Sequence, residues 1–170
     1  MLFSSPLGRA KKIISAIMKK DSLFDGCLID SYKEKDVIDL YTVSPGGFVE
    51  EVGSYVHIYY TTDERLSASL SFNLVKEGDI RYESLKEVAE CVDDDEYTVT
   101  LGKKDFGVEG SCLLLTVKGP VKETELSVTT SFLVSELSSI LENYMDALAE
   151  NMEEFENDSD EDDHEDAEEE

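Results

Sequence analysis

The sequence predicts an α+β domain, a mainly antiparallel sheet with N-terminal, middle and long C-terminal helices packed against it, followed by an acidic disordered tail. Three observations lead there. Strand-like segments cluster, helical apolar spacing appears in only three places, and the chain ends in a run of carboxylates. Clustered strands with few helices favour antiparallel pairing over an alternating βαβ winding.

The first helix starts at Ser5-Pro6, a capping residue followed by a proline suited to the first helical position. Leu7, Ala10, Ile13, Ile14, Ile17 and Met18 follow at helical spacing, with Arg9, Lys11, Lys12, Lys19 and Lys20 on the other face. Such a helix either covers a core or presents a partner face. About four strands follow. Asp36–Val43 is one, ending before Pro45-Gly46-Gly47, with a long loop over Ser44–Gly53. Ser54–Thr61 reads SYVHIYYT, and after a tight turn near Asp63-Glu64 comes Arg65–Leu74. In that last segment Leu66, Ala68, Leu70, Phe72 and Leu74 alternate with Ser67, Ser69, Ser71 and Asn73. Strict alternation means one buried face and one small polar face, and the pair reads as a hairpin.

Gly78-Asp79 opens a middle helix running to about Val92, with Tyr82, Leu85, Val88, Ala89 and Val92 on one face. Asp93-Asp94-Asp95 suits a loop better than a helix C-terminus, where negative charge is unfavourable. Tyr97, Val99 and Leu101 mark a strand, 102–110 a connection, and Ser111–Lys118 (SCLLLTVK) a strand whose three leucines suit a position covered on both faces. Gly119-Pro120 ends it. The last helix has Thr130 or Ser131 as cap. Its stripe runs from Leu133 through Leu137, Leu141, Tyr144, Met145 and Leu148 to Met152, wide enough to dock on a sheet and continue into a subunit interface.

The 170 residues carry 40 acids against 15 bases, a net charge of −25. The segment 153–170 holds 13 acids and no Lys or Arg, which cannot bury enough apolar surface to fold. Residues 1–152 form the domain, itself at −12 from 27 acids and 15 bases. Phosphate backbones and anionic membranes would repel it, so neither nucleic acid nor membrane is expected as partner. Basic polypeptides are the natural ones. No apolar run approaches the length of a bilayer span, and Met1-Leu2-Phe3-Ser4-Ser5-Pro6 lacks a signal-peptide pattern, so a cytoplasmic location is expected.

Cys27, Cys91 and Cys112 are odd in number and widely spaced, which suits reduced cysteines rather than a disulfide or metal site. His57 shares a strand face with Tyr55 and Tyr59, and His164 lies in the tail; neither joins a nucleophile–base set. The glycines form no phosphate-binding loop, and Asp93–Glu96 does not match a calcium loop. No enzyme activity, cofactor or metal is therefore expected.

The hairpin YVHIYYTTDERLSASLSF, the helix DIRYESLKEVAECV and the segment CLLLTVKGPVKETELSVTTSFLVSELSSILENYMDAL occur in an order that resembles the YbjN-like proteins and the class I type III secretion chaperones. The likeness covers most of 5–152. It implies a cytoplasmic, commonly homodimeric chaperone that binds a protein or peptide client without catalysis. The surface for that client is expected at Tyr55, His57, Tyr59, Ser67, Ser69 and Ser71 on the hairpin and at Tyr144, Met145 and Leu148 on the last helix. The alternative is an acidic chaperone that holds basic cargo through its C-terminal tail.

Overall fold

The computed structural model describes residues 5–43, 54–73, 75, 77–92, 94–103 and 110–165. The order is α1 (Pro6–Lys20), a 3-10 turn (Ser22–Phe24), β1 (Ile29–Lys33), β2 (Val37–Thr42), β3 (Ser54–Thr61), β4 (Leu66–Asn73), α2 (Ile80–Cys91), β5 (Tyr97–Lys103), β6 (Gly110–Val117) and α3 (Glu123–Glu165). The strands make a six-stranded sheet in the order β1-β2-β3-β4-β6-β5. Every neighbouring pair is antiparallel. This is the predicted α+β architecture. The loop read over Ser44–Gly53, Leu74, Asp93 and residues 104–109 lie outside the described residues.

Local chemistry sets the element ends. The Ser5 hydroxyl accepts from Gly8 N–H at 3.0 Å, and Pro6 fills the first turn of α1. Asp79 caps α2, accepting from Arg81 N–H at 2.8 Å. In the β3–β4 turn Glu64 adopts φ 61°, a left-handed conformation that costs a residue with a side chain. Asp94 Oδ1 accepts from Glu96 N–H at 2.7 Å, closing the turn into β5.

One face of the sheet carries the core. Ile38 and Leu40 of β2, Val56, Ile58 and Tyr60 of β3, Leu66–Phe72 by alternate residues of β4, and Leu113 and Leu115 of β6 are buried there. The helices complete it. From α1 come Leu7, Ala10, Ile14 and Met18, so this helix covers the core. From α2 come Leu85 and Val88, and from α3 Leu126, Leu133, Val134, Leu137, Ile140, Leu141 and Tyr144. Each buried Leu or Ile contributes about 1.5–3 kcal/mol.

α3 begins at Glu123, about two turns before the Thr130–Ser131 cap the sequence suggests. Val128, Thr129 and Thr130 are β-branched and weak helix formers, but Leu126, Thr130 and Leu133 share a buried stripe, and burial outweighs propensity here. The entry is pinned. Tyr60 Oη donates to the Val121 carbonyl at 2.6 Å, and Val121 N–H donates to the Glu64 carbonyl at 2.7 Å. Glu123 and Glu125 in the first turn suit the helix dipole. At the other end, helical backbone is described through Glu165, into the acid-rich segment. Burial stops earlier. Met152, Glu153, Glu154 and Glu156 are exposed, so the packed body ends where the acidic segment begins.

Candidate functional site

The other face of the sheet contributes nothing to the core. None of its residues belongs to the hydrophobic cluster that joins the three helices to β2–β6. Cross-strand register arranges this face in rows. Tyr55 pairs with Ser71, and Ser71 with Cys112; His57 pairs with Ser69, and Ser69 with Leu114; Tyr59 pairs with Ser67, and Ser67 with Thr116. On the other flank of β3, Tyr41 pairs with His57 and Asp39 with Tyr59. Asp30 and Tyr32 of β1 extend the same two rows.

The serine row does not form the flat, open stripe that alternation alone suggests. Ser69 and Ser71 are only 4% and 3% exposed, and Ser67 is half-buried. Their hydroxymethyl groups are too short to rise between the taller side chains of β3 and β6. The row is the floor of a trough. Its wall is the aromatic group on β2 and β3. The His57 ring stacks between Tyr41 (centroids 5.6 Å apart, planes at 26°) and Tyr59 (5.6 Å, 7°). Both Asp39 oxygens lie 3.1 Å from His57 Nδ1. A carboxylate only accepts, so this hydrogen bond places a proton on Nδ1 and fixes the ring plane.

Burial, and after it the negative charge of Asp39, push the Tyr59 hydroxyl up to about 12, with hydrogen bonding to Ser69 acting the other way. Tyr59 therefore stays a neutral phenol that both donates and accepts. Ser69 faces His57 in register, and its side chain hydrogen-bonds with Tyr59. The arrangement offers a rigid aromatic ledge with hydroxyls at its rim, the composition that interfaces favour.

Sequence reasoning placed Tyr55, His57, Tyr59, Ser67, Ser69 and Ser71 together, and the sheet does so. It missed Asp39, Tyr41 and Tyr32, which complete the ledge. The parity of Val37-Ile38-Asp39-Leu40-Tyr41 carries part of that signal, since Asp39 and Tyr41 alternate with the apolar Ile38 and Leu40. It also missed exposed apolar residues at the β1 end. Leu28, Tyr32 and Val43 are 67%, 57% and 51% exposed, and Val43 N–H donates to the Leu28 carbonyl at 2.7 Å.

Of the three α3 residues, Tyr144 is a correction. Tyr144 is 2% exposed, with its ring 5.1 Å from that of Phe72. It is a core residue, with its hydroxyl's pKa raised by burial. Met145 and Leu148 are half-buried against the same core. The stripe of α3 is wide because it meets α1 on one side and α2 on the other, so this chain itself uses the face read as a partner surface.

Cys27 and Cys112 are half-buried and Cys91, at the end of α2, is exposed, all without disulfides. Among the described residues no three His, Cys, Asp or Glu side chains gather as a metal ion would need. No helix among them is long and apolar enough to cross a membrane. Comparison of the chain with protein-family models, with curated proteins and with solved structures returned no match.

Proposed function

We propose that this chain is a non-catalytic protein-binding module, of the kind that type III secretion chaperones and YbjN-like proteins represent, holding an extended segment of a partner polypeptide against its sheet. One observation carries the reading. All three helices join a core on one face, while the opposite face presents Tyr32, Tyr41, His57 and Tyr59 with exposed Leu28 and Val43 beside them. An aromatic and apolar surface left outside the core is the usual mark of an interaction site. The homodimer and the cytoplasmic location that the resemblance implies belong to the same proposal.

The test is selection from an unbiased array of extended peptides, using the full chain, a Tyr41→Ser/Tyr59→Ser variant and a chain ending at Met152. The reading expects the full chain to retain peptides, the tyrosine variant to lose most of them and the shortened chain to keep them. If no peptide is retained, the proposal fails.

A second reading has its own support. Beyond Asn151 the described side chains of α3 are exposed, and 153–170 holds 13 acids. An acidic chaperone gripping basic cargo through this tail predicts the reverse pattern, with binding lost on shortening and abolished by salt.

A further inference from the structure

The two edges of the sheet differ in a way that assigns one of them a role. In antiparallel pairs, residues alternate between pointing their backbone groups at the neighbour and away from it. Val43 N–H donates to the Leu28 carbonyl and Glu34 N–H to the Val37 carbonyl, at 2.7 and 2.9 Å. The even residues of β1 therefore face β2, and Ile29, Ser31 and Lys33 point their N–H and C=O groups outward. At the other edge, Lys118 N–H donates to the Glu96 carbonyl at 2.8 Å. The even residues of β5 face β6, and Tyr97, Val99 and Leu101 point outward.

The β1 edge is guarded. The Asp30 carboxylate accepts from the outward Ser31 N–H at 2.7 Å, occupying the central donor of the strand. Lys33, Glu34, Lys35 and Asp36 then follow in succession. Charges and a side chain folded onto the edge are the devices by which sheets discourage strand addition. The β5 edge carries charge only at its ends, with Asp94, Asp95 and Glu96 before it and Lys103 as its last residue, and no side chain is described on its central donors. From Tyr97 to Gly102 it reads YTVTLG, without charge or proline, and no described hydrogen bond engages the outward N–H groups of Val99 and Leu101. Thr98 and Thr100 are exposed, and Val99 and Leu101 are half-buried.

We infer that the β5 edge accepts a basic extended segment of a partner polypeptide as a seventh strand. This goes beyond the ledge on β2 and β3 and assigns a second polypeptide-binding surface at the far edge of the same sheet. Charge selects the occupant. The start of β5 is flanked by Asp94, Asp95 and Glu96, which with Phe132 line an open groove of about 480 Å³. Pairing this edge with its own copy would bring like carboxylates together at the groove, whereas a cationic segment is attracted there. Main-chain bonds to Val99 and Leu101 supply pairing, and an Arg or Lys of the segment lies along the groove on the face of Phe132.

The probe is a capped seven-residue peptide of alternating threonine and valine with an arginine at each end, added to the full chain. Amide exchange by NMR is the readout. Exchange at Val99 and Leu101 should slow at least about fivefold, with Ile29, Ser31 and Lys33 unchanged. A glutamate-ended peptide should bind about tenfold more weakly at low salt, the gap closing in high salt. Val99→Pro removes an outward donor at a place where an edge strand tolerates proline, and it should abolish protection at Leu101 while the thermal midpoint confirms folding. A peptide N-methylated at its pairing positions tests the same bonds without altering the protein.

Protection at β1 and not at β5, equal binding of the glutamate-ended peptide, or undiminished binding of the N-methylated one overturns the inference. So does protection of Val99 that grows with protein concentration in the absence of peptide, which would make the occupant a second copy. A peptide that shifts the Tyr41–His57–Tyr59 resonances and leaves β5 exchange untouched overturns the edge assignment alone. The array selection decides the broader reading separately.

Discussion

The two faces of the sheet use the same strands for different ends. On the helical face, alternate residues of β2–β4 and β6 are aliphatic or aromatic and are covered by α1, α2 and α3. On the other face the same strands contribute Asp39, Tyr41, His57, Tyr59 and the serines of β4. A shift of one residue separates a core position from a ledge position. The difference teaches that the core is held by one set of side chains, while the set on the opposite face, where we propose a partner binds, lies outside that core.

Adjacent leucines of β6 give the largest contrast. Leu115→Ala empties a fully buried site and should cost about 2–5 kcal/mol. Leu114→Ala, on the opposite face and half-buried, should cost less than about 1.5 kcal/mol. Urea unfolding of both variants measures the gap, and equal losses would mean that the second face is packed as tightly as the first.

Asp39→Ala leaves His57 without its carboxylate and should cost about 1–3 kcal/mol, with loss of the restrained ring orientation visible in the His57 side-chain NMR signals. Next in size is the cap on α2. Asp79→Ala should cost about 0.5–2 kcal/mol. Hydrogen bonds from Arg81 hold the Asp79 carboxyl below its ordinary value. Its contribution is therefore complete above the usual carboxylate pKa of about 4 and is lost as pH falls through the lowered value. Asp79→Asn should flatten that part of an acid unfolding curve.

At the alkaline end the sign reverses. Tyr59, raised to about 12, favours the folded state while it is neutral, so its contribution holds below about pH 10 and disappears as pH rises through 12. Tyr59→Phe should lessen the alkaline loss of stability. The smallest effect is a gain. Glu64→Gly relieves the positive φ of the β3–β4 turn and should add about 0.5–1 kcal/mol, read as a higher urea midpoint.

Much of this fold was legible in the sequence because local chemistry and tertiary role agree. Ser5-Pro6, Gly78-Asp79 and the alternation of Leu66–Phe72 each mean locally what they do globally. The exceptions have physical causes. β1, Ile-Asp-Ser-Tyr-Lys, is a short edge strand with one core-facing aliphatic side chain, too little pattern to mark it. The start of α3 is set by Tyr60 and Val121, partners 61 positions apart. Half the ledge was visible, since Tyr55, His57 and Tyr59 share parity on one strand. The Asp39–His57 pair was not, because it depends on the register between β2 and β3, and a single sequence does not specify register. Tyr144 was misplaced because an apolar stripe does not say whether its cover is another chain or two helices of its own.

Hydroxyl-radical footprinting of the tyrosines, with and without a peptide retained from the array, tests the central claim most directly. The account predicts reduced modification at Tyr32, Tyr41, Tyr55 and Tyr59, with Tyr97 and Tyr144 unchanged. Modification left unaltered by the peptide at all four tyrosines of this face would contradict it.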